Sequence, residues 1–212
     1  MIFLILPYNY HSGWGICSVN LSKQISKTRQ IRYFSSEFNL NSSPNPIESE
    51  FFRKYNFNNI DYLKSQNEYP IIQSLEHDLQ PYQGYLNGSK KIGLCFSDRL
   101  IPQHLAQKAT SHFDYIISGS EWSKNLLQQY GVESTVIHQG IDPLIFNKTR
   151  SEKEIFKDDF IVFSGGKFEH RKGQDVFIKA YKVFQDRHPD VRLACAWVNS
   201  YTGNDGFKNL QD

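Results

Sequence analysis

Few cysteines and no long apolar run narrow the classes of protein to which this 212-residue chain can belong. The three cysteines, Cys17, Cys95 and Cys195, lie far apart and show neither zinc-ligand nor redox spacing. Each lies in or beside an apolar segment, so we expect buried free thiols and a reducing, cytoplasmic setting. No apolar run approaches the about 20 residues that cross a bilayer.

The sequence also lacks a signal peptide and an excess of charge of either sign. The apolar start, Met1 to Leu6, has no basic region and no small-residue cleavage site, so it is expected to form a buried strand. Lys and Arg number 24 against 22 Asp and Glu, a formal net charge of +2. This balance gives no electrostatic basis for binding nucleic acid. A local basic patch would still permit peripheral membrane contact.

Strand-like runs alternate with helical patterns, which indicates an α/β fold. Ile2–Leu6 is continuously apolar and breaks at Pro7, as a buried parallel strand would. Such alternation is typical of a parallel sheet flanked by helices. Further strands are expected at Ile71-Ile72, Ile92–Phe96, Tyr115–Ile117 and Thr135–Ile137.

Start and stop signals predict helices between these strands. Pro102 is well placed near a helix start. Ser118 and Glu121 have capping-box spacing, and Gly131 is a typical helix end. The expected buried faces carry Cys17, Leu21 and Ile25 in the first helix, Leu105, Ala109 and Phe113 in a later one, and Trp122, Leu126, Leu127 and Tyr130 in the next.

A polar stretch after residue 146 predicts a boundary between two domains. The pattern restarts beyond it with a strand at Phe160–Phe163, a helix at Gln174–Arg187 and a strand at Val191–Trp197. These three elements form one βαβ unit. We therefore divide the chain into a first domain, a linker and a partial second domain, with bounds 1–147, 148–157 and 158–212.

The segment Ser164 to Gly173, with sequence SGGKFEHRKG, is the strongest candidate for a binding site. It follows a strand and precedes a helix, whose start offers free N–H groups and a positive dipole end. Three cations, Lys167, Arg171 and Lys172, lie within six positions. These features predict a site for a polyanion such as a diphosphate. The alternative is a solvated basic loop at a sheet edge.

A second glycine pair, Gly13 and Gly15, follows the first strand. It is not a dinucleotide-binding fingerprint, because Ser18 stands where that motif needs Gly or Ala. The pair is expected either to let a ligand approach the backbone closely or to form a plain tight turn.

Three segments together resemble the family 4 glycosyltransferases, which have the GT-B fold. Gly166-Lys167 and Arg171-Lys172-Gly173 resemble the segment that opens the family's donor domain. Gly13-Trp14-Gly15 resembles its N-terminal glycine loop. The stretches Ser118–Ser123 and Gly140-Ile141-Asp142 with Phe146 resemble a further signature between them.

The resemblance implies a retaining glycosyltransferase, hexosyltransferase-like, with two facing Rossmann-like domains. The nucleoside-diphosphate sugar would lie on the second domain and a carbohydrate or glycoconjugate acceptor on the first. Lys167 and Lys172 would bind the diphosphate, with Arg171 beside them, and Gly13 and Gly15 would border the phosphate or the acceptor from the other side. No metal and no cofactor beyond the donor substrate is implied. Lys167 replaces the family's usual Arg, so charge is kept but bidentate binding is lost.

The resemblance is imperfect around the expected catalytic residues. Many family members carry a His before an acidic residue where this chain has Ser97-Asp98. Asp98 remains able to bind a sugar hydroxyl. His77-Asp78, one strand earlier, is a candidate to lie in the cleft that the resemblance implies between the two domains. The alternative for His77 is a surface position in a loop. His11, next to the glycine pair, is a further candidate.

The second domain is expected to be incomplete. Family members carry two Glu separated by seven residues later in the donor domain, and this sequence ends before that motif. The alternative function is therefore an inactive truncated remnant, or a partner subunit, without the donor-binding carboxylates. An unrelated phosphate-binding α/β enzyme is the third hypothesis.

Overall fold

A computed structural model describes the chain as two compact units, Met1–Ile141 and Asp142–Asp212, called here the first and second units. The candidate His11 and most of the expected linker lie outside the described residues. The described residues are 1–10, 12–36, 46–143, 146–149 and 159–198.

The first unit contains a six-stranded parallel sheet with the strand order β2-β1-β3-β4-β5-β6. This confirms the predicted Rossmann-like α/β class. The strands are β1 (Ile2–Ile5), β2 (Ile31–Phe34), β3 (Ile71–Leu75), β4 (Lys91–Cys95), β5 (Tyr115–Ser118) and β6 (Thr135–Val136).

Helices connect most of these strands, as parallel pairing requires. No helix among the described residues is long and apolar enough to cross a membrane. The helices described in the first unit are α1 (Gly13–Ser26), α2 (Pro46–Tyr55), α3 (Ile60–Ser65), α4 (Gln103–His112) and α5 (Glu121–Gln129).

The strand order reverses between β1 and β3, because β1 pairs with β2 on one side and β3 on the other. In open parallel sheets such a reversal opens a crevice at the carboxyl ends of the strands. The loops that follow β1 and β3 therefore lie at the position where this architecture binds ligands.

Burial on both faces of the sheet explains the continuous apolar run of β1. Leu4 belongs to a core that includes Val19 of α1, whereas Phe3 and Ile5 belong to another core with Leu63 of α3. Successive strand residues point to opposite faces. Each face of β1 therefore needs an apolar side chain, and the alternation of a half-exposed strand is lost.

Small residues, rather than the predicted Cys17, form the buried face of α1. Gly15, Ser18, Val19 and Ser22 are buried there, and Cys17 is only partly buried. Ser22 Oγ donates to the carbonyl of Ser18 at 2.7 Å, which satisfies a polar group inside the core. The other two residues of the predicted face, Leu21 and Ile25, are partly buried and pack against the core, as expected.

Two expectations for α5 were wrong and one is confirmed. Ser120 is the N-cap, its Oγ accepting from the Ser123 N–H at 3.1 Å, whereas Ser118 belongs to β5. Trp122 is 59% exposed instead of buried. Gly131 ends the helix with a φ of +74°, which favours glycine.

The cysteines differ in environment, although all three are free thiols. Burial raises the pKa of Cys95 to about 11. Burial also raises the pKa of Cys17, against a hydrogen bond with Gln139. Cys195 is exposed, so its expected burial was wrong. It lies in the two-stranded sheet of the second unit. A sheet of two strands has too little packed around it to bury the side chains on both of its faces.

The second unit contains the predicted βαβ pattern. Strand β7 (Phe160–Lys167) pairs in parallel with β8 (Val191–Val198), and α6 (Gln174–Arg187) connects them. The strand is longer than expected, so Gly165, Gly166 and Lys167 lie in β7 and not in a loop. Large apolar side chains are exposed here, namely Phe160, Phe163, Val176, Ile178, Val183, Phe184 and Val198.

Candidate functional site

The predicted catalytic pair comes together at the carboxyl edge of the first unit. His77 follows β3 and Asp98 follows β4, and His77 Nδ1 lies 3.0 Å from Asp98 Oδ1 without a regular hydrogen-bond angle. Arg99 Nε lies 3.5 Å from the same oxygen. The side chains of His77 and Asp98 are 33% and 40% exposed. The pair is thus accessible to a ligand.

Trp14 joins this pair to the first turn of α1. Its ring packs edge-on against Phe96, with centroids 4.7 Å apart, and against His77 at 6.3 Å. Sequence reasoning placed Trp14 in the glycine motif but gave it no role. Its position between the two glycines was the feature of the sequence that could have indicated a role at the site.

The glycine pair forms the first turn of α1 instead of a loop. Ser12 is the N-cap, and its Oγ accepts from the Gly15 N–H at 3.1 Å. A Cβ on Gly15 would lie 2.1 Å from the Asn9 carbonyl oxygen, so protein backbone fills that space. Gly13 has no described atom within 4 Å of a built Cβ. Of the two, only Gly13 leaves room for a ligand.

The connection between β3 and β4 forms an open cleft of about 460 Å³. Two non-glycine residues in this connection, Leu79 and Gln83, have a φ of +70°. Such backbone strain concentrates at ligand sites and persists only where the surroundings enforce it. The cleft, called here the β3–β4 cleft, is lined by Glu76, His77, Asp78, Gln80, Pro81, Tyr82, Gln83 and Arg99.

Hydrogen bonds within the connection hold Asp78 as a carboxylate. Its Oδ1 accepts from the Gln80 N–H at 3.0 Å and its Oδ2 from Gln80 Nε2 at 2.8 Å. Burial raises the pKa of Asp78, but these hydrogen bonds outweigh it, and the net pKa is below the ordinary value. Of the lining residues, His77 and Asp78 were expected, as a dipeptide that follows a strand, and the others were not.

Two glycines in the left-handed region shape the basic segment of the second unit. Gly166 has a φ of +135°, and Gly173 has a φ of +67° and is the N-cap of α6. Between them His170–Lys172 form a 3₁₀ turn. An L-residue side chain is strained at both glycine positions. Gly166 remains paired within β7, and Gly173 turns the backbone from the 3₁₀ turn into α6.

Side-chain contacts fix this segment to the strands. The buried Gln174 donates from Nε2 to the Lys167 carbonyl at 2.8 Å. Trp197 stacks on Phe168, with centroids 5.8 Å apart, and donates from Nε1 to Ser164 Oγ at 3.0 Å. The first N–H groups of α6 have no intrahelical acceptor and lie at the positive end of the helix dipole.

Glu169, which sequence reasoning missed, lies among the predicted phosphate-binding cations. Its carboxylate is 3.1 Å from Lys167 Nζ and 2.8 Å from an Arg171 Nη atom. Within the described part of the chain, Lys172 forms no such ion pair, although its charge still acts on Glu169. Lys172 is therefore better placed than the other two cations to receive an anion.

The pKa of Glu169 should lie below its ordinary value of 4.5. Burial raises it, but the hydrogen bond from Lys167 and the charges of Arg171, Lys167 and Lys172 outweigh burial. Because the pKa of Glu169 is lower in the folded protein than in the unfolded chain, these interactions stabilise the fold at pH values above the ordinary pKa. That stabilisation is lost as the pH falls through the pKa of the folded protein. Carboxyl titration by NMR should show this low value, and Lys167→Met should raise it.

The matched control for this prediction is Lys182→Met, on the exposed middle of α6. It also removes one positive charge, but at a position about two turns beyond the start of α6, and should leave the pKa of Glu169 unchanged. An equal shift in both variants would contradict the local pairing.

Comparison with known proteins gives one similarity that bears on function. No protein-family model matches the chain. Over 94 residues the chain is 31% identical to the D-inositol 3-phosphate glycosyltransferase of Paenarthrobacter aurescens (strain TC1). The match covers 41% of this chain and 23% of that protein, so the chain spans about a quarter of the relative's length. The similarity supports the glycosyltransferase class in general.

Proposed function

We propose that the chain takes part in transfer of a sugar from a nucleoside diphosphate to an acceptor hydroxyl with retention of configuration. The observation that carries this proposal is the basic segment at the start of α6, where Gly173 opens the helix beside Lys172. The similarity to a glycosyltransferase supports the same class. The organisation proposed is GT-B, with residues 1–147 as the acceptor domain and 158–212 as part of the donor domain.

The donor diphosphate is assigned to the second unit. Lys172 and the free N–H groups of α6 supply positive potential at one place. Lys167 and Arg171 add two cations, which pair with Glu169 in the free protein. Diphosphate would compete with that carboxylate for both.

The chemistry of the reaction explains why cations are needed there. The leaving diphosphate gains negative charge as the bond to the sugar breaks. Positive groups at that position therefore bind the transition state more tightly than the ground state, and this difference accelerates the reaction. The proposal requires neither metal nor cofactor, because the side chains supply the charge.

The acceptor is assigned to the first unit, at the carboxyl edge of its sheet. Asp98 is the proposed ligand of an acceptor hydroxyl, and His77 Nδ1 lies 3.0 Å from its Oδ1. The open space beside Gly13 lies on the same edge, after β1. A cytoplasmic location and contact with a membrane surface remain part of this proposal, and nucleic acid has no place in it.

Transfer of labelled sugar tests the proposed function. The full-length protein would be incubated with UDP- and GDP-hexoses and a panel of hexoses, polyols and D-inositol 3-phosphate. We expect transfer from at least one donor, with the donor's anomeric configuration kept in the product by NMR. A metal chelator should not change the rate. Inversion, or no transfer across the whole panel, would contradict the proposal.

A further inference from the structure

We infer that the β3–β4 cleft binds an uncharged polyhydroxyl compound, a sugar or polyol without a phosphate group. This inference deepens the proposed function, since it names the class of acceptor. The binding itself does not depend on sugar transfer, so the two can fail separately.

The lining of the β3–β4 cleft suits neighbouring hydroxyl groups. Glu76 and Asp78 supply carboxylate acceptors. Gln80 Nε2 already donates to Asp78 Oδ2 at 2.8 Å, and Gln83 Nε2 donates to Ser36 Oγ at 2.6 Å. Each amide retains a second N–H donor and its carbonyl oxygen for a ligand. A carboxylate can accept two hydroxyl protons at once, as a vicinal diol presents them. Tyr82 adds a ring, whose hydroxyl lies 3.0 Å from Ser35 Oγ and is held in place.

The charge of the cleft disfavours a phosphorylated ligand. The lining contains an arginine, Arg99, which could attract a phosphate. Its charge is already offset by Asp98, whose Oδ1 lies 3.5 Å from Arg99 Nε. Glu76 and Asp78 have their carboxylates in the same lining. Asp98 lies outside this lining but contacts both His77 and Arg99, so three carboxylates surround two positive groups even when His77 is counted as a cation. A phosphate dianion entering the cleft would meet net repulsion.

The cleft is formed before any ligand arrives. The fully buried Gln73 donates from Nε2 to the carbonyls of Tyr82 and Gly84, both at 2.6 Å. Leu79, at positive φ, has its side chain fully buried. A preformed site loses little entropy on binding. The volume of about 460 Å³ falls within the range of about 300–1,000 Å³ for small-molecule sites.

Ligand-observed NMR on the whole chain tests this inference. The probes are D-glucose, D-mannose, D-galactose and myo-inositol, each paired with its monophosphate. The titrations use the Lys172→Ala variant, so that phosphate bound at the basic segment contributes less. We expect at least one neutral compound to bind at least tenfold more tightly than its monophosphate. Equal or tighter binding of every monophosphate, or no binding of any neutral compound, would overturn the inference.

Charge-neutralising variants show whether the β3–β4 cleft is the site. Glu76→Gln, at an exposed residue, should improve monophosphate binding relative to the neutral partner at least threefold. Asp78→Asn should act in the same direction. Glu133→Gln is the matched control, because this exposed residue lies before β6, at the opposite edge of the sheet. An unchanged ratio in a folded Glu76→Gln protein would overturn the assignment. No donor is present, so absence of transfer would not affect the result.

Discussion

In the full-length enzyme, replacing Lys172 with alanine should lower the turnover of sugar transfer roughly 10²–10³-fold, by analogy with the loss of one oxyanion-hole donor. The reason is that Lys172 lies at the start of α6, where the leaving diphosphate is proposed to gain charge. Acceptor binding should change far less, because the acceptor is assigned to the first unit. Initial rates at saturating donor and acceptor measure the effect.

Two further variants make this result specific. Lys182→Ala removes the same charge from the exposed middle of α6, about 15 Å along the helix, and should leave turnover near normal. Lys167→Arg keeps a cation that can pair with Glu169 and adds bidentate phosphate binding, so it should be tolerated. Near-normal turnover of Lys172→Ala would remove this residue from the mechanism.

An alanine at Gly15 should lower the free energy of unfolding of the first unit by about 1–3 kcal/mol, the usual cost of overpacking. The added Cβ would lie 2.1 Å from the Asn9 carbonyl oxygen and 2.6 Å from its Oδ1. Asn9 cannot simply turn away, because Oδ1 accepts from the Ser12 N–H at 2.9 Å. Urea denaturation followed by circular dichroism measures the change.

Gly13→Ala is the matched control for Gly15→Ala. It adds the same methyl group two residues earlier, where no described atom lies within 4 Å of the Cβ. Its stability should stay within about 0.5 kcal/mol of the parent protein, as for most surface substitutions. Equal losses in the two variants would mean that crowding against Asn9 is not the cause.

Five of the six described strands of the first unit were predicted from short apolar runs, whereas β2, with the sequence IRYF, was missed because a polar Arg32 interrupts its apolar residues. Ile2–Ile5 is such an apolar run, since each face of β1 packs into a different core. Helix faces were less predictable, because tertiary packing decides them. Trp122 satisfies the apolar period of α5 but is exposed, and the buried face of α1 includes Gly15 and Ser18, which an apolar period does not indicate.

The candidate site was predictable only in part. Asp98 and His77 were each expected at a strand end, and parallel strands bring such ends to one edge, which explains their 3.0 Å approach. The cleft beside them depends on positive φ values at Leu79 and Gln83, which no residue type there signals. Glu169 was missed because one carboxylate among several cations does not show in the sequence which of them it contacts, and only the fold brings it to Lys167 and Arg171.

Titration calorimetry with UDP and GDP tests the central claim most directly, namely that the basic segment of the second unit holds a nucleoside diphosphate. At least one of the two should bind, and Lys172→Ala should weaken it about 10- to 100-fold, the loss of one charge-assisted contact of about 1.5–3 kcal/mol. Lys182→Ala should bind as the parent protein does. No binding of either diphosphate, or equal binding by Lys172→Ala and the parent, would contradict the account.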